Sequence, residues 1–314
     1  MSGLTTVPTA SDIAAAAQRI RGHVRTTPLI ELAPGTFGVD APLLLKLELL
    51  QHSGSFKPRG MFNRVLTQDV PTTGLVIASG GNAALALVHV GRQLGHPVEV
   101  FLPETAPAVK VAKLHKYGAR VHQVGSVLAE AVVASDARAA ETGALLVHAY
   151  DQPEVVAGQG TVGLELEEQC SDVDTVLVAC GGGGLVGGIA AWFDGRVRVV
   201  AVEAEGSPTL AAARAAGERV TISVGGVAAD SMGASRIGAI AWEIAERAID
   251  DVVVVPGQAI TDARQHLWDE LRVCAEPGAA APLAALINGS YVPAPDERVA
   301  VIVCGGNSDP ADLS

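Results

Sequence analysis

One lysine lies in a short segment whose residues could carry chemistry. Lys57 stands in the sequence Ser-Gly-Ser-Phe-Lys-Pro-Arg-Gly of residues 53–60, directly after an extended apolar run that ends near Leu50. An amine held at such a turn can lose its water, and a desolvated lysine can form a Schiff base with a carbonyl compound. A lone lysine at such a turn is more often a surface cation. The spacing by itself leaves both interpretations open.

Four consecutive glycines at residues 181–184, followed by Leu185, form a second segment of this kind. Glycines at a helix start let successive backbone N–H groups approach a phosphate without obstruction by side chains. The segment matches neither the dinucleotide-binding pattern G-x-G-x-x-G nor the P-loop, because no Gly-Lys-Ser/Thr follows. Since a tight turn needs only one or two glycines, the run of four favours a phosphate-binding loop.

Two further loops follow predicted strands. Residues 79–82 read Ser-Gly-Gly-Asn and precede a helical stretch, where backbone N–H groups attract a carboxylate. An ordinary turn capped by Asn82 fits the same residues. The loop at 304–307 reads Cys-Gly-Gly-Asn, and its cysteine can be a small apolar residue that closes a strand. No neighbouring histidine suggests that Cys304 is a nucleophile.

Short apolar runs alternate with longer helical stretches, which is the pattern of parallel βα units. We predict strands at residues 76–78, 98–102, 120–124, 144–147, 175–179, 197–202, 251–255 and 299–303, with an early extended run at 42–49. Gly95, Gly118 and Gly143 mark the ends of the intervening helices. Ligands bind beyond the carboxyl ends of strands in such sheets, which is where the loops described above lie.

The strands fall into two groups, which predicts two domains. Residues 70–149 form a small inserted domain that carries the 79–82 loop, and residues 1–69 and 150–314 form a larger, discontinuous one. No stretch has the composition of a long linker, so we expect a closely packed cleft between the domains.

Composition limits the possible partners and compartments. Asp and Glu outnumber Lys and Arg by 34 to 22, which argues against binding of nucleic acid. The uncharged segment 175–193 contains six glycines, so we expect a buried strand, loop and helix rather than a membrane span. The four cysteines form no C-x-x-C pair, and residues 1–10 lack the features of a secretory signal. We therefore expect a cytoplasmic protein.

Taken together, these loops resemble the fold type II pyridoxal-phosphate-dependent enzymes, in particular the serine/threonine dehydratase group and its serine racemase relatives. The resemblance extends from about Thr27 to Asn307. Six motifs occur in the family's order: the lysine segment (Lys46, Glu48, Gln51, 54–57, Arg59 and Gly60), 78–79 with 81–82, Ala-Gly-Gln-Gly-Thr at 157–161, 181–185, Glu-Pro-Gly at 276–278, and 304–307. One such motif would be weak support, whereas six in order are specific.

The resemblance implies an α/β fold with two domains of mostly parallel, twisted sheets flanked by helices, similar to the tryptophan synthase β subunit. It places pyridoxal 5'-phosphate in the cleft between the domains, bound to Lys57 in a Schiff base. The other residues implied to contact the cofactor are Phe56, Asn82, Gly181, Gly182, Gly183, Gly184, Leu185, Glu276 and Cys304. The residues implied to contact the substrate are Ser79, Gly80, Gly81 and Asn82.

Individual roles follow from the same resemblance. Asn82 bonds the cofactor's ring oxygen, the N–H groups of residues 181–185 bind its phosphate, and Cys304 faces the pyridine nitrogen. A thiol leaves that nitrogen largely unprotonated, which suits loss of a β-hydroxyl rather than storage of negative charge. Glu276 lies close to the ring and receives no role in proton transfer.

Two departures from the family's pattern matter. The loop that commonly reads Ser-Ser-Gly-Asn-His has Gly80 for the second serine and Ala83 for the histidine. In the serine racemases that serine is the base on the opposite face of the substrate, so Gly80 predicts no racemisation by two bases. Glu203 matches the first acid of the family's divalent-cation site, but Thr209 replaces the second, and we assign no metal ligands.

The expected reaction is the dehydration and deamination of L-serine or L-threonine to pyruvate or 2-oxobutanoate and ammonia, with Lys57 removing the Cα proton. The nearest alternative is the same chemistry on a 3-hydroxyaspartate, a phenylserine or a hydroxyectoine-derived amino acid. A β-replacement synthase and a non-catalytic sensor that binds the cofactor or a metabolite are further alternatives. The family also implies a homodimer.

Overall fold

The computed structural model describes residues 6–313. Residues 1–5, part of the segment searched for a secretory signal, and residue 314 lie outside it. The strands are β1 (Leu29–Leu32), β2 (Leu43–Lys46), β3 (Leu75–Ala78), β4 (Val98–Leu102), β5 (Arg120–Gln123), β6 (Leu145–Leu146), β7 (Thr175–Ala179), β8 (Arg198–Ala204), β9 (Asp251–Val255) and β10 (Val299–Ile302). The helices are α1 (Ala10–Ile20), α2 (Pro58–Leu66), α3 (Asn82–Leu94), α4 (Ala108–Lys116), α5 (Leu128–Thr142), α6 (Pro153–Gln169), α7 (Gly184–Phe193), α8 (Thr209–Ala216), α9 (Ala229–Met232), α10 (Ala239–Ala248), α11 (Gly257–Leu271) and α12 (Pro277–Ile287).

Within residues 6–313 the strands form one sheet of six and one of four. The larger sheet has the order β1-β2-β10-β7-β8-β9 and is parallel except where β1 pairs with β2. The smaller sheet, β5-β4-β3-β6, is parallel throughout. The predicted α/β class with mostly parallel sheets is confirmed. Sequence analysis does not predict β1, because this four-residue edge strand is only partly buried and lacks a continuous apolar run.

The predicted strands agree with the observed ones to within two residues at each end. Among the eight predicted strands the largest differences are in β6, which has two residues instead of four, and in β8, which continues to Ala204. The extended run at 42–49 supplies β2 in the larger sheet. Gly95 and Gly143 end α3 and α5 with φ of +79° and +70°, the left-handed conformation that favours glycine at a helix end.

The uncharged segment 175–193 forms β7, the four-glycine loop and α7. In the part of the chain that the structure describes, no helix is long and apolar enough to cross a membrane. Helix α7 packs closely on α6, and glycines at the contact make this possible. A Cβ on Gly160 would lie 2.7 Å from the carbonyl oxygen of Gly188, and one on Gly188 would lie 2.5 Å from that of Val156. This glycine contact fixes the position of α7 and hence of the loop that precedes it.

Helix α2 connects the lysine segment to the smaller sheet. Met61 and Phe62 of α2 belong to the same buried apolar cluster as Leu75 and Ile77 of β3. The division of the chain into domains at 1–69, 70–149 and 150–314 stays a prediction, and α2, on the larger-domain side of the 69/70 boundary, packs across it. Lys57, which directly precedes α2, therefore lies where the two sheets approach each other.

Candidate active site

The lysine segment is held against the end of β10 by backbone hydrogen bonds. The N–H of Phe56 donates to the carbonyl oxygen of Cys304 at 3.0 Å, and the N–H of Gly306 donates to that of Gly54 at 2.9 Å. Lys57 then precedes α2, whose first residue, Pro58, suits a position that needs no N–H donor. Lys57 and Cys304 therefore meet at the carboxyl end of the larger sheet.

A buried ion cluster fixes the first turn of α2. Arg59 donates from Nε and Nη2 to the two carboxylate oxygens of Glu48, at 2.8 and 2.7 Å. Nη2 also lies 2.9 Å from Glu165 Oε2, and Lys46 Nζ lies 2.6 Å from Glu165 Oε1. Breaking a buried ion pair typically costs about 3–5 kcal/mol. The backbone two residues beyond Lys57 is accordingly held in one place.

The side chain of Lys57 contacts the loop that follows β6. Its Nζ donates to the carbonyl oxygen of Ala149 at 2.8 Å and lies 4.9 Å from the centre of the Phe56 ring. Burial lowers the pKa of Lys57 to about 8, although the neighbouring Cys304 and Glu276 act in the opposite direction. A lysine of lowered pKa can supply a neutral amine near physiological pH, and that amine is both a base and a nucleophile.

Asn82 joins the two sheets across the cleft. Its Nδ2 donates to Glu276 Oε1 at 2.7 Å, and its Oδ1 accepts from Asn307 Nδ2 at 2.8 Å. Asn82 begins α3 beside the smaller sheet, whereas Glu276 and Asn307 lie in loops of the larger one. A Cβ on Gly305 would collide with the carboxyl group of Glu276, so the glycine makes room for this contact.

Glu276 and Cys304 are both buried, with 6% of each residue's surface exposed. Burial raises the pKa of Glu276 even though Asn82 donates to it, and the other neighbouring donors and cations also act against this shift. Burial and then the nearby Glu276 raise the pKa of Cys304 well above its ordinary value. The Cys304 thiol therefore keeps its proton and can act as a weak hydrogen-bonding group, not as a thiolate nucleophile.

The four-glycine loop leaves no room for side chains. A Cβ on Gly182 would lie 2.5 Å from the ring of Tyr150, and one on Gly183 would lie 2.5 Å from Ala241 Cβ. Gly183 also has φ of +85°, which favours glycine. Because α7 begins at Gly184, the first N–H groups of this buried helix have no acceptor within the helix. Together with the helix dipole they form a site for an anion.

Residues 79–81 connect β3 to α3 and are partly exposed. The N–H of Gly81 donates to Ser79 Oγ at 3.2 Å, which shapes the turn before α3. Among the described atoms outside residues 79–81, a Cβ on Gly80 would have only Leu102 Cβ within 4 Å, at 4.0 Å. The start of α3 thus offers N–H groups to a second anion beside an open position at Gly80.

The structure brings the predicted residues to one cleft, but residues 148–150, which connect them, were absent from the prediction. The carbonyl group of Ala149 accepts from Lys57, and the Tyr150 ring packs against the four-glycine loop. The sequence could have indicated residues 148–150 as part of the site, because the predicted strand at 144–147 ends directly before them and ligands bind beyond the carboxyl ends of strands. The contact itself uses a backbone carbonyl group, which no residue type reveals.

Glu203 and Thr209 lie behind the four-glycine loop. Glu203 Oε1 lies 2.9 Å from Thr209 Oγ1, and the Glu203 carboxyl group accepts hydrogen bonds from the N–H groups of Leu210 and Ala211 at 2.7 and 2.9 Å. Across residues 6–313, no group of three His, Cys, Asp or Glu side chains could hold a metal ion. The carboxyl group of Glu203 is instead hydrogen-bonded to the backbone at the start of α8.

These features fit a cofactor that carries an aldehyde and a phosphate. Lys57 provides an amine of lowered pKa, and the start of α7, whose glycines pack closely against Tyr150 and Ala241, provides N–H groups that have no acceptor within the helix. Cys304 provides a protonated thiol beside the amine. Pyridoxal phosphate has the groups that such an arrangement accommodates.

Comparison with known proteins agrees with this fit. A family model described as "Pyridoxal-phosphate dependent enzyme" matches residues 20–305. The L-threonine ammonia-lyase of Thermotoga maritima is 32% identical over 306 residues, covering 96% of this chain and 76% of the relative. The phenylserine dehydratase of Ralstonia pickettii is 34% identical over 324 residues, covering 99% of this chain and 96% of the relative. The solved structure of maize serine racemase superposes with a TM-score of 0.91 at 32% identity, covering 98% of this chain and 96% of the other.

Proposed function

This chain belongs to the pyridoxal-phosphate dependent enzymes, and from that premise we propose that it converts L-threonine or L-serine to 2-oxobutanoate or pyruvate and ammonia. The reaction removes the β-hydroxyl as water and then uses one water to release the amino group as ammonia. The named activities of the threonine ammonia-lyase and phenylserine dehydratase relatives support this class of elimination.

We assign Lys57 as the covalent attachment point and Asn82 as the partner of the cofactor's ring oxygen. Cys304 is assigned to the pyridine nitrogen. When bound, pyridoxal phosphate withdraws electrons from the Cα atom of an attached amino acid and so makes its Cα proton acidic. The remaining residues assigned to the cofactor are Phe56, Gly181, Gly182, Gly183, Gly184, Leu185 and Glu276.

Lys57 is the group that moves the proton. Its Nζ must be neutral to accept the Cα proton, and the pKa of Lys57, lowered by burial to about 8, makes that form accessible. The carbonyl group of Ala149 orients Nζ at 2.8 Å. The N–H groups at residues 79–82 bind the substrate carboxylate at the start of α3, which leaves the β-carbon free in the cleft.

One observation carries this proposal: a lysine amine of lowered pKa lies in the same cleft as a glycine-lined helix start. The test is the release of 2-oxo acids from L-threonine, L-serine, a 3-hydroxyaspartate and phenylserine. We expect 2-oxobutanoate or pyruvate from the first two, a loss of release in Lys57→Ala, and normal release in Lys116→Ala, whose lysine is exposed on α4. Cofactor binding without 2-oxo acid from any substrate would contradict the proposal and support a sensor.

A substrate with a larger β-substituent is the second candidate, and the space at Gly80 favours it. Apart from the adjoining residues 79 and 81, Leu102 Cβ is the single described atom within 4 Å of a Cβ placed there, and the nearby Ala83 offers only a methyl group. Phenylserine fills such a space better than serine does. A kcat/KM for phenylserine above that for L-threonine, reversed by Gly80→Leu, would identify this candidate as the preferred one.

We further propose that the enzyme works in the cytoplasm as a homodimer. All four cysteines are free, which agrees with a reducing compartment. For the homodimer, the smaller-sheet region exposes apolar side chains that can form part of an interface, namely Val109, Val127, Leu128 and Val133. Light scattering of the purified holoenzyme tests this directly, since a monomer at working concentration would contradict the dimer.

A further inference from the structure

Two carbonyl groups of the four-glycine loop are held from outside the loop. Thr209 Oγ1 lies 2.5 Å from the carbonyl oxygen of Gly181, and the N–H of Gly238 donates to that of Gly182 at 3.1 Å. In a trans peptide the C=O and the following N–H point in opposite directions. The N–H of Gly182 therefore points away from Thr209, and the N–H of Gly183 points away from Gly238.

The Gly181–Gly182 peptide needs such an external contact. A peptide unit between two glycines lacks the Cβ atoms that restrict rotation elsewhere, so it can turn over at little steric cost. If it did, a carbonyl oxygen in place of an N–H would face the anion. A hydrogen bond to the Gly181 carbonyl group selects the orientation that leaves the N–H of Gly182 available.

Glu203 in turn fixes Thr209. Both residues are fully buried, and the Glu203 carboxyl group lies 2.9 Å from Thr209 Oγ1 and accepts from the N–H groups of Leu210 and Ala211 in the first turn of α8. The Thr209 hydroxyl has one hydrogen and two acceptors nearby, and its shorter contact is with Gly181. Burial raises the pKa of Glu203, which favours the acid form that can supply the second hydrogen.

We infer that Thr209 is a positioning residue for the cofactor's phosphate: its hydroxyl, held by Glu203, orients the Gly181–Gly182 peptide so that the loop presents N–H groups. This inference rests on the proposed pyridoxal phosphate site. According to this inference, the Thr209 hydroxyl orders the four-glycine loop. Within residues 6–313, no group of three His, Cys, Asp or Glu side chains could hold a metal ion there.

The test compares the affinities of apoprotein for pyridoxal phosphate and for pyridoxal, which lacks the phosphate. Thr209→Val removes the hydroxyl at nearly constant volume, and Thr209→Ser restores it. One hydrogen bond is worth about 0.5–1.5 kcal/mol, so we expect Thr209→Val to weaken pyridoxal phosphate binding by about 2- to 10-fold. Binding of pyridoxal should stay unchanged, and Thr209→Ser should recover most of the phosphate-dependent affinity.

Thr142→Val is the matched control, because that threonine also donates to a backbone carbonyl group, at 2.8 Å, within α5. Thr209→Ala serves as a second variant if valine prevents folding. Equal weakening for both ligands, or unchanged binding of pyridoxal phosphate, would overturn the inference. A wild-type protein that binds neither ligand would instead refute the proposed function.

Discussion

The side-chain amide of Asn82 donates to the carboxyl group of Glu276 across 2.7 Å, although 194 residues separate them in the chain. The contact joins the start of α3 to the start of α12, and so connects the smaller sheet to the larger one. It also holds two residues assigned to the cofactor at a fixed distance from each other. The cleft is thus closed by a hydrogen bond between groups that are themselves assigned to ligand binding.

Replacing Asn82 should affect both stability and cofactor binding. Asn82→Ala leaves the buried Glu276 carboxyl group without this donor, and a buried polar group left unpaired typically costs about 1–3 kcal/mol. We expect a lower free energy of unfolding and weaker retention of pyridoxal phosphate. Urea denaturation and dialysis of the holoenzyme measure the two effects. Asn288→Ala, at an exposed helix end, should change neither, and equal behaviour of the two variants would refute this role.

The lowered pKa of Lys57 predicts an unusual pH dependence of its reactivity. A lysine whose pKa falls from 10.5 to about 8 becomes neutral, and hence reactive, at a lower pH than a lysine with the ordinary pKa. In apoprotein, acylation of Lys57 should reach half its maximal rate near pH 8. Competitive labelling read by mass spectrometry compares it with the exposed Lys116. A midpoint for Lys57 near 10.5 would show that burial does not depress its pKa.

Gly183 offers a test of the phosphate loop with a closely matched control. Gly183→Ala adds a Cβ 2.5 Å from that of Ala241 at a φ of +85°, whereas Gly195→Ala has a φ of +80° and no described atom within 4 Å. Both variants bear the left-handed strain of about 1–2 kcal/mol, and overpacking adds about 1–3 kcal/mol at Gly183 alone. We expect only Gly183→Ala to lose cofactor. Normal cofactor affinity in a folded Gly183→Ala would argue against the phosphate loop.

Gly80 determines the expected stereochemistry. Inversion at Cα needs one group to remove the proton and a second group on the opposite face to return it. Lys57, the proposed base, would serve one face, and Gly80 has no side chain for the other, so L-serine recovered from partial turnover should contain negligible D-serine. A well-placed acid or base is typically worth about 10²–10⁴-fold in rate. Gly80→Ser has the space for a hydroxyl and should restore some racemisation. Appreciable D-serine from the wild type would show that another residue is the second base.

Features that depend on a short stretch of sequence could be predicted, whereas features that depend on contacts between distant parts of the chain could not. Short segments of sequence are enough to predict the lysine segment around Lys57, the four-glycine loop at 181–184 and the alternation of strands and helices. The pairing of Asn82 with Glu276 depends on the mutual placement of two sheets, which no local pattern encodes. The Ala149 contact uses a main-chain oxygen that every residue has. The short strand β1 was not predicted because it lies at a sheet edge and pairs only with β2, so its sequence needs no continuous apolar run.

The central claim is that Lys57 carries the cofactor, and peptide mapping after borohydride reduction tests it most directly. Reduction fixes pyridoxal phosphate to whichever lysine binds it, and digestion followed by mass spectrometry locates the modified residue. We predict the phosphopyridoxyl group on the peptide that contains Lys57, with loss of near-visible absorbance and of 2-oxo acid release in Lys57→Ala. A group found on another lysine, such as Lys110 or Lys113 of α4, or on none, would contradict the account.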